Sequence, residues 1–369
     1  MIEIKKIYKK DIPGLLSNVE FWKNSFLAIS RHRLHAHLKN PTSDDTDVVL
    51  LLAYLNQELV GYMGVYIDKI ILDGAETKIG WLSTWWVHPK TKGSGIGREI
   101  LNTMYEANNG KIGISQFTPS AKRVYDKSGY FATLKKSVGI KGILKSHTAY
   151  LIPQLYPKMN FLKPGFALLD FLINALVSVK LLFLEQVIKK RLQNIKVDYL
   201  TTPDAETIEI IKAHNSHHIS EKSPDFFEWL KACHWVEEAP LLEFTDKSKY
   251  EFSMYDKSFA IYLVKVTENN RCIGFFVLQK RNVMVKLLFA YYDGKDSEKI
   301  TDIIKLQCLA QNTREIICYD PKICAVLKKS HIFLYRRKKV KESIISKAFG
   351  KIDFEDVIVN FGDGDCSFA

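Results

Sequence analysis

Apolar and polar residues are most tightly patterned between Trp81 and Val87. A period of two puts Trp81, Ser83, Trp85 and Val87 on one face of a strand and Leu82, Thr84 and Trp86 on the other. Aromatic and β-branched side chains suit such a half-buried, pleated surface. Pro89 has no N–H for a ladder and closes the strand. The period then lengthens, and Ile100, Leu101, Met104 and Tyr105 share one side of a helix over 98–107. Upstream, the pattern predicts a strand at 2–7, a helix starting at Asp11 and a helix over 21–38 that ends at Asn40-Pro41. Strands at 47–55 and 58–67 flank an Asn56-Gln57 turn, and a strand at 70–72 precedes Asp73-Gly74. Downstream come a strand at 111–117, a helix at 120–127 and a strand at 130–138. The order is β-α-α-β-β-β-α-β-α-β.

The same order returns after residue 196. A strand at 196–200 leads to helices at 204–214 and 224–234. Strands at 259–266 and 272–280 surround the turn Glu268-Asn269-Asn270-Arg271, and a third long strand covers 283–292. Helix 296–311, strand 315–319, helix 321–329 and strand 332–340 complete the set. The interval from the central strand to the next strand is roughly thirty residues in both halves. Between them lies an apolar block at 165–187, near the length of a membrane span but interrupted by Asp170, Asn174, Lys180 and Glu185. A charge at the bilayer centre costs about 2.5–3.5 kcal/mol. Asp170, Asn174 and Ser178 form a narrow polar stripe on this helix, which favours burial between two domains. A helix resting on the inner membrane face, with Lys189-Lys190-Arg191 at its end, and a true span are the alternatives.

Gly93, Gly95 and Gly97 lie between the central strand and its helix. Strand, glycine loop and helix make a place for phosphate, because glycine lets the backbone approach closely and the first helical N–H groups are free. A dinucleotide fingerprint needs a further glycine three residues after the second, and a nucleotide P-loop needs Gly-Lys-Ser/Thr. Gly97-Arg98-Glu99 meets neither requirement. The run Val87-His88-Pro89-Lys90-Thr91-Lys92-Gly93-Ser94-Gly95-Ile96-Gly97 instead resembles the acyl-CoA loop of the GNAT superfamily of N-acyltransferases, Val-x-Pro-x-x-Arg/Gln-Gly-x-Gly-x-Gly/Ala. Lys92 departs from that pattern; it keeps a charge and lacks the guanidinium fork. Residues 118–130 resemble the family's Asn-x-x-Ala-x-x-x-Tyr-x-x-x-Gly-Phe, with Ala121, Tyr125, Gly129 and Tyr130 in place and Thr118 for the asparagine.

The resemblance covers about 1–150, and it implies an N-acyltransferase using acyl-CoA, acetyl-CoA above all, and no metal. It implies that Gly93, Ser94, Gly95, Ile96 and Gly97 cradle the pyrophosphate beside Lys92. It further implies that the backbone of Trp86 and Val87 holds the pantetheine arm and that Tyr125 protonates the leaving thiolate. The phenol's ordinary value near 10 suits that donor role. The base stays open, since no carboxylate lies on 81–87; His88, Asp73, Glu76 and the histidines of the first helices are the choices. The repeated order makes the chain similar to two GNAT-like domains in tandem, 1–150 and 196–369, joined by the apolar helical stretch 151–195. The implied fold is α/β (α+β), each domain a central mixed, mostly antiparallel sheet flanked by helices. Tyr292-Asp293-Gly294-Lys295-Asp296-Ser297 would repel pyrophosphate, so the second copy is expected to be degenerate.

Composition adds limits. At 369 residues, 47% apolar and 25% charged, the chain is globular and long enough for two domains. The net charge of +12 favours anionic partners, but no nucleic-acid-binding signature accompanies it, so nucleic acid is not expected. Six scattered cysteines without a Cys-x-x-Cys pair, and a strand-like start in place of a secretory leader, suggest free thiols in the cytoplasm. The helix over 21–38 carries Arg31, His32, Arg33, His35 and His37, expected as a solvated basic face or an acceptor contact. With the tryptophans of the central strand and Trp22, it suggests a small amine acceptor that is ring-bearing or anionic. An amino sugar on a nucleotide, for surface-polysaccharide assembly, would fit. Aminoacyl or peptide transfer and a non-catalytic CoA-binding or membrane-peripheral scaffold are the alternatives. The tail 361–369 reads as a surface turn, or else as a place where Asp363 and Asp365 meet a cation or an amine.

Overall fold

The computed structural model describes the chain except residues 1, 25, 73, 234, 239–254, 257, 351–353, 355 and 368–369. The first half contains β1 (Ile2–Tyr8), α1 (Ile12–Ser17), α2 (Arg31–Leu38), β2 (Val48–Leu55), β3 (Glu58–Leu72), β4 (Ala75–Val87), α3 (Ile96–Ala107), β5 (Ile112–Ile114), α4 (Pro119–Ser128) and β6 (Phe131–Ile143). Then come α5 (Thr148–Leu155) and α6 (Lys163–Arg191). The second half contains β7 (Ile195–Leu200), α7 (Ala205–Ala213), α8 (Pro224–Ala232), a ribbon of β8 (Glu237–Glu238) and β9 (Tyr255–Asp256), β10 (Phe259–Glu268), β11 (Arg271–Arg281), β12 (Met284–Tyr292), α9 (Ser297–Ala310), β13 (Glu315–Cys318), α10 (Pro321–Lys329) and β14 (Tyr335–Ser346).

Both halves share one 12-stranded sheet, in the order β1-β2-β3-β4-β5-β14-β6-β13-β12-β11-β10-β7. Read from either edge, equivalent elements appear in the same sequence. The centre is a long antiparallel pair of β6 and β14, running from Tyr335 opposite Ile143 to Ser346 opposite Phe131. Each half gives its last strand to the other: β14 lies beside β5, and β6 lies beside β13. The hairpins β2–β3 and β10–β11 turn alike, with positive φ at Asn56 and Gln57 and at Asn269 and Asn270.

Burial follows the sheet. Ile100, Leu101 and Met104 of α3 and Tyr125 of α4 cover one face of the first half, and α9 and α10 cover the corresponding face of the second. On the opposite face a single core joins Tyr66 and Trp81 to Phe226, Trp229, Phe275 and Tyr291. There α8 crosses onto the first half, where Trp229 Nε1 donates to the Ala36 carbonyl at 2.9 Å and its ring stacks on Tyr66.

Several expectations change. The helix over 21–38 is reduced to a short turn at Phe21–Lys23 and α2, because Ser30 stays extended and caps α2 by accepting from Arg33 N. Its basic face is not solvated: Arg33 and His37 are buried, and only Arg31 and His35 are exposed. The strand at 111–117 is only Ile112–Ile114. The strands at 58–67 and 70–72 are one continuous β3. The turn residue Asp73 lies outside the described residues. The helix α6 is not buried between domains; of its residues only Asp170, Leu181 and Ile188 are buried. The halves meet through their strands, which leaves no gap for a helix, so α6 lies on the outside against the α9 layer.

Candidate acyl-CoA site

The centre of the site is a fault in β4. Met63 pairs with Trp85 and Gly64 with Ser83, which leaves Thr84 as an unpaired bulge at φ 53°. Arg33 Nη1 donates to Thr84 Oγ1 at 2.6 Å, with its guanidinium 3.9 Å from the Trp235 ring. A Cβ on Gly64 would lie 2.4 Å from Arg33 Nη2, so a larger residue there would displace the guanidinium. Burial, reinforced by the Arg33 charge, holds the His37 imidazole well below its ordinary value and therefore neutral.

The bulge changes the faces expected from strict alternation. Leu82, Trp85 and Val87 pack with the α3 core, while Trp86 lies on the other side against Phe26 and Tyr62. Trp81 is wholly buried in the shared core and lines no acceptor pocket. Trp22 is covered by Arg31 at 4.1 Å. Pairing of β4 with β5 covers only Gly80–Ile112 and Trp81–Gly113, and then the strands part. Beyond Trp81 the β5 side of β4 has no strand beside it among the described residues.

The loop begins where β4 ends. His88 Nδ1 accepts from Lys90 N at 3.1 Å, and Thr91 Oγ1 donates to the His88 carbonyl at 2.8 Å. Gly93 and Gly95 adopt φ of 88° and 86°, where other residues are strained. A Cβ at either would meet nothing within 4 Å, so the space beside them is open. Among the described residues, the N–H groups of Gly93, Gly95, Gly97 and Arg98 have no protein acceptor, and Ile96 N has only a 3.5 Å contact with Ser94 Oγ. Lys92, Gly93, Ser94 and Gly95 are exposed. Unpaired N–H groups at a helix start, with a lysine beside them, suit a pyrophosphate.

Tyr125 is one ring away from this loop. A Cβ on Gly97 would lie 3.3 Å from Trp85 Cζ2, and the Trp85 and Tyr125 ring centroids are 5.4 Å apart. Phe117 and Phe131 also pack edge-on against Tyr125, which is 4% exposed. Burial pushes its phenol well above the ordinary value, and the Asp365 charge adds to the shift. The tail is therefore no surface turn. Asp365 accepts from Ser115 Oγ where β5 ends, and Cys366 Sγ lies 3.4 Å from the same hydroxyl. Asp363 is buried near Lys222, whose ammonium donates to Asp68 Oδ2 at 2.6 Å. The contact between Ser115 and Asp365 spans most of the chain, and no local pattern announces it. Among the described residues no group of three or more His, Cys, Asp or Glu could hold a metal ion.

Residues 3–132 match a family of acetyltransferase (GNAT) domains. This part of the chain is similar to a GNAT domain. The match stops at the start of β6, the strand that crosses to the other half. No curated protein matches the chain. Similar solved structures include a GCN5-related N-acetyltransferase from Anabaena variabilis ATCC 29413, at 8% identity over 94% of this chain and 72% of that one, with a TM-score of 0.50. A Saccharomyces cerevisiae N-myristoyltransferase with bound myristoyl-CoA shares 11% identity over 93% and 82%, with a TM-score of 0.48. A tandem GNAT protein from the clavulanic acid biosynthesis pathway shares 10% over 96% and 100%, with a TM-score of 0.47. At such identities the likeness is one of fold.

The second half repeats the frame of the first without the loop. A bulge at Leu288 interrupts β12, and the pairing of β12 with β13 ends at Lys286–Ile317. The following turn is occupied by its own carboxylates: Asp293 accepts from Lys295 N at 3.1 Å, and Asp296 holds Lys299 at 3.3 Å. Counting from the proline that opens each helix, the position of Tyr125 in α4 is that of Leu327 in α10, which is wholly buried in the core.

Proposed function

We propose that the protein moves an acyl group, acetyl in the simplest case, from acyl-CoA to a primary amine. The observation that carries this is the set of free N–H groups at Gly93, Gly95, Gly97 and Arg98, beside an open edge of β4 and one ring from Tyr125. In this reading Lys92, Gly93, Ser94, Gly95, Ile96 and Gly97 hold the pyrophosphate. The backbone of Trp86 and Val87 pairs with the pantetheine amides. Asp365 takes a proton from the incoming ammonium, which frees the amine lone pair. The N–C bond forms as the thioester carbonyl becomes tetrahedral; the C–S bond then breaks as the nitrogen gives its second proton to solvent. Tyr125, kept protonated by burial, passes its proton to the departing thiolate and regains one from solvent.

The acceptor is a small-molecule amine. A nucleotide-linked amino sugar, acylated during surface-polysaccharide assembly, is the specific candidate; its anionic group would meet Arg31 and His35, the exposed basic residues of α2. We place the reaction in the cytoplasm, where acyl-CoA is made, and all six cysteines are free. The test is calorimetric titration with acetyl-CoA, followed by thiol release on a panel of amino sugars and aminoacyl amines. Binding followed by release with one amine class supports the proposal. Absence of binding overturns it, and binding without turnover on any amine favours a CoA-binding scaffold.

A further inference from the structure

The outer face of α6 is an apolar surface that the fold leaves uncovered. Leu168, Leu172, Leu176, Val179, Leu182 and Phe183 are exposed, with Leu176 78% and Phe183 70% accessible. Tyr150, Leu155, Tyr156 and Phe161 extend the exposed surface over α5 and the turn into α6. Soluble monomers seldom leave so continuous a patch in water.

The charges along it are mostly basic. Between residues 145 and 191 the basic residues are Lys145, Lys158, Lys163, Lys180, Lys189, Lys190 and Arg191, and the acids are Asp170 and Glu185 alone. Asp170 is buried and faces inward, and Glu185 is paired with Lys189 at 2.6 Å. An apolar face ringed by lysines matches an anionic lipid surface, where acyl chains receive the side chains and headgroups receive the ammonium groups.

The helix is long and apolar enough to cross a bilayer, but it is fastened to the body along its length. The Asp170 carboxylate accepts from Ser146 Oγ at 2.5 Å, Thr148 N at 2.9 Å and Ala149 N at 2.9 Å. Asn174 accepts from Ser146 N and donates to its carbonyl. Leu181 and Ile188 lie in the second-half core, and Arg191 meets Asp302 at 3.0 Å. Spanning would break every one of these contacts. A symmetric pairing of two copies would set the lysine rims against each other.

We infer that α5 and α6 seat the protein on an anionic membrane surface, with the outer face of α6 in the headgroup–acyl boundary and the globular body in the cytoplasm. This stands apart from the acyl-transfer proposal. The test is flotation of the full chain with vesicles of phosphatidylcholine, with and without phosphatidylglycerol. The wild type should float with anionic vesicles, less so as salt rises. The triple change Leu172→Ser, Leu176→Ser, Phe183→Ser should abolish flotation while the melting temperature and acetyl-CoA titration stay unchanged. Lys163→Gln and Lys190→Gln should each weaken partitioning about fivefold without touching the apolar face, which gives a readout independent of the triple variant. Failure to float with any vesicle overturns the proposal. So does a wild-type dimer that the triple change makes monomeric, or membrane association that resists alkaline carbonate and needs detergent.

Discussion

After β4 the chain runs through Gly93, Gly95 and Gly97 with N–H groups that no protein atom accepts. After β12 it runs through Asp293 and Asp296, which turn their carboxylates onto their own backbone and lysines. The frames on which the two loops are mounted are alike: a bulged strand, a short parallel partner that then parts from it, and a helix behind. The bulge and the parting of the strands therefore belong to the architecture and do not by themselves make an acyl-CoA site. What distinguishes the halves is the loop's free donors and a phenol where the other half has Leu327.

The largest expected effect breaks that contrast at the loop. Gly95→Glu puts a side chain at φ 86° and a carboxylate among the phosphate donors; acyl-CoA affinity should fall at least about a hundredfold, as like charges in contact cost several kcal/mol. Gly294→Glu in the other loop should leave the affinity within about threefold, since exposed charges away from a ligand contribute little. Calorimetry on both proteins decides, and loss in the second variant would make the acidic loop part of the site.

The next comparison is between helices. Tyr125→Phe should lower kcat about a hundredfold with acyl-CoA affinity unchanged, the usual weight of a positioned proton donor. Leu327→Ala should instead cost about 2–5 kcal/mol of stability and leave acyl-CoA binding intact, because that position only packs. Asp365→Asn keeps an acceptor for Ser115 and removes the base. Its kcat should fall about a hundredfold with acyl-CoA affinity unchanged. A kcat unchanged by the substitution would remove Asp365 from the mechanism.

The smallest effect concerns the tail that carries Asp365 across from the second half. Burial, with His214 and His217 nearby, pushes the His218 imidazole down to about 4 from 6.5, so its contribution to stability is present above pH 6.5 and lost as pH falls through 4. Burial raises the Asp363 carboxyl to about 6 from 3.8, and its contribution is present below 3.8 and lost as pH rises through 6. The two oppose each other between pH 4 and 6. His218→Gln should flatten the acid loss of stability and Asp363→Asn should steepen it, each by roughly 1–3 kcal/mol, read as melting temperature against pH.

Much of this was legible in the sequence. Periodicity located almost every long element, and the glycine and tyrosine segments marked the first half as GNAT-like. The Asn56-Gln57 and Asn269-Asn270 turns were visible because asparagine tolerates positive φ. Other features were hidden for definite reasons. An extra residue at Thr84 shifts the alternation by one, and no residue type signals it. Arg33 looked like a solvated charge because its partners, Thr84 and Trp235, come from distant strands and loops. A strand's pattern tells which face is buried and not which neighbour it takes, so nothing in β6 or β14 foretold their exchange.

That exchange sets a timetable for the growing chain. The strand that flanks β5, next to the glycine loop, is the last one synthesised. At about 5–20 residues per second, the ribosome takes roughly 10–40 s to pass from β5 to β14. During that interval β5 offers an open edge to any strand nearby, β6 first among them. A message cut short before residue 335 would encode every residue of the acyl-CoA loop, yet it would leave β5 without β14, and its product should be sought among insoluble chains or chaperone clients.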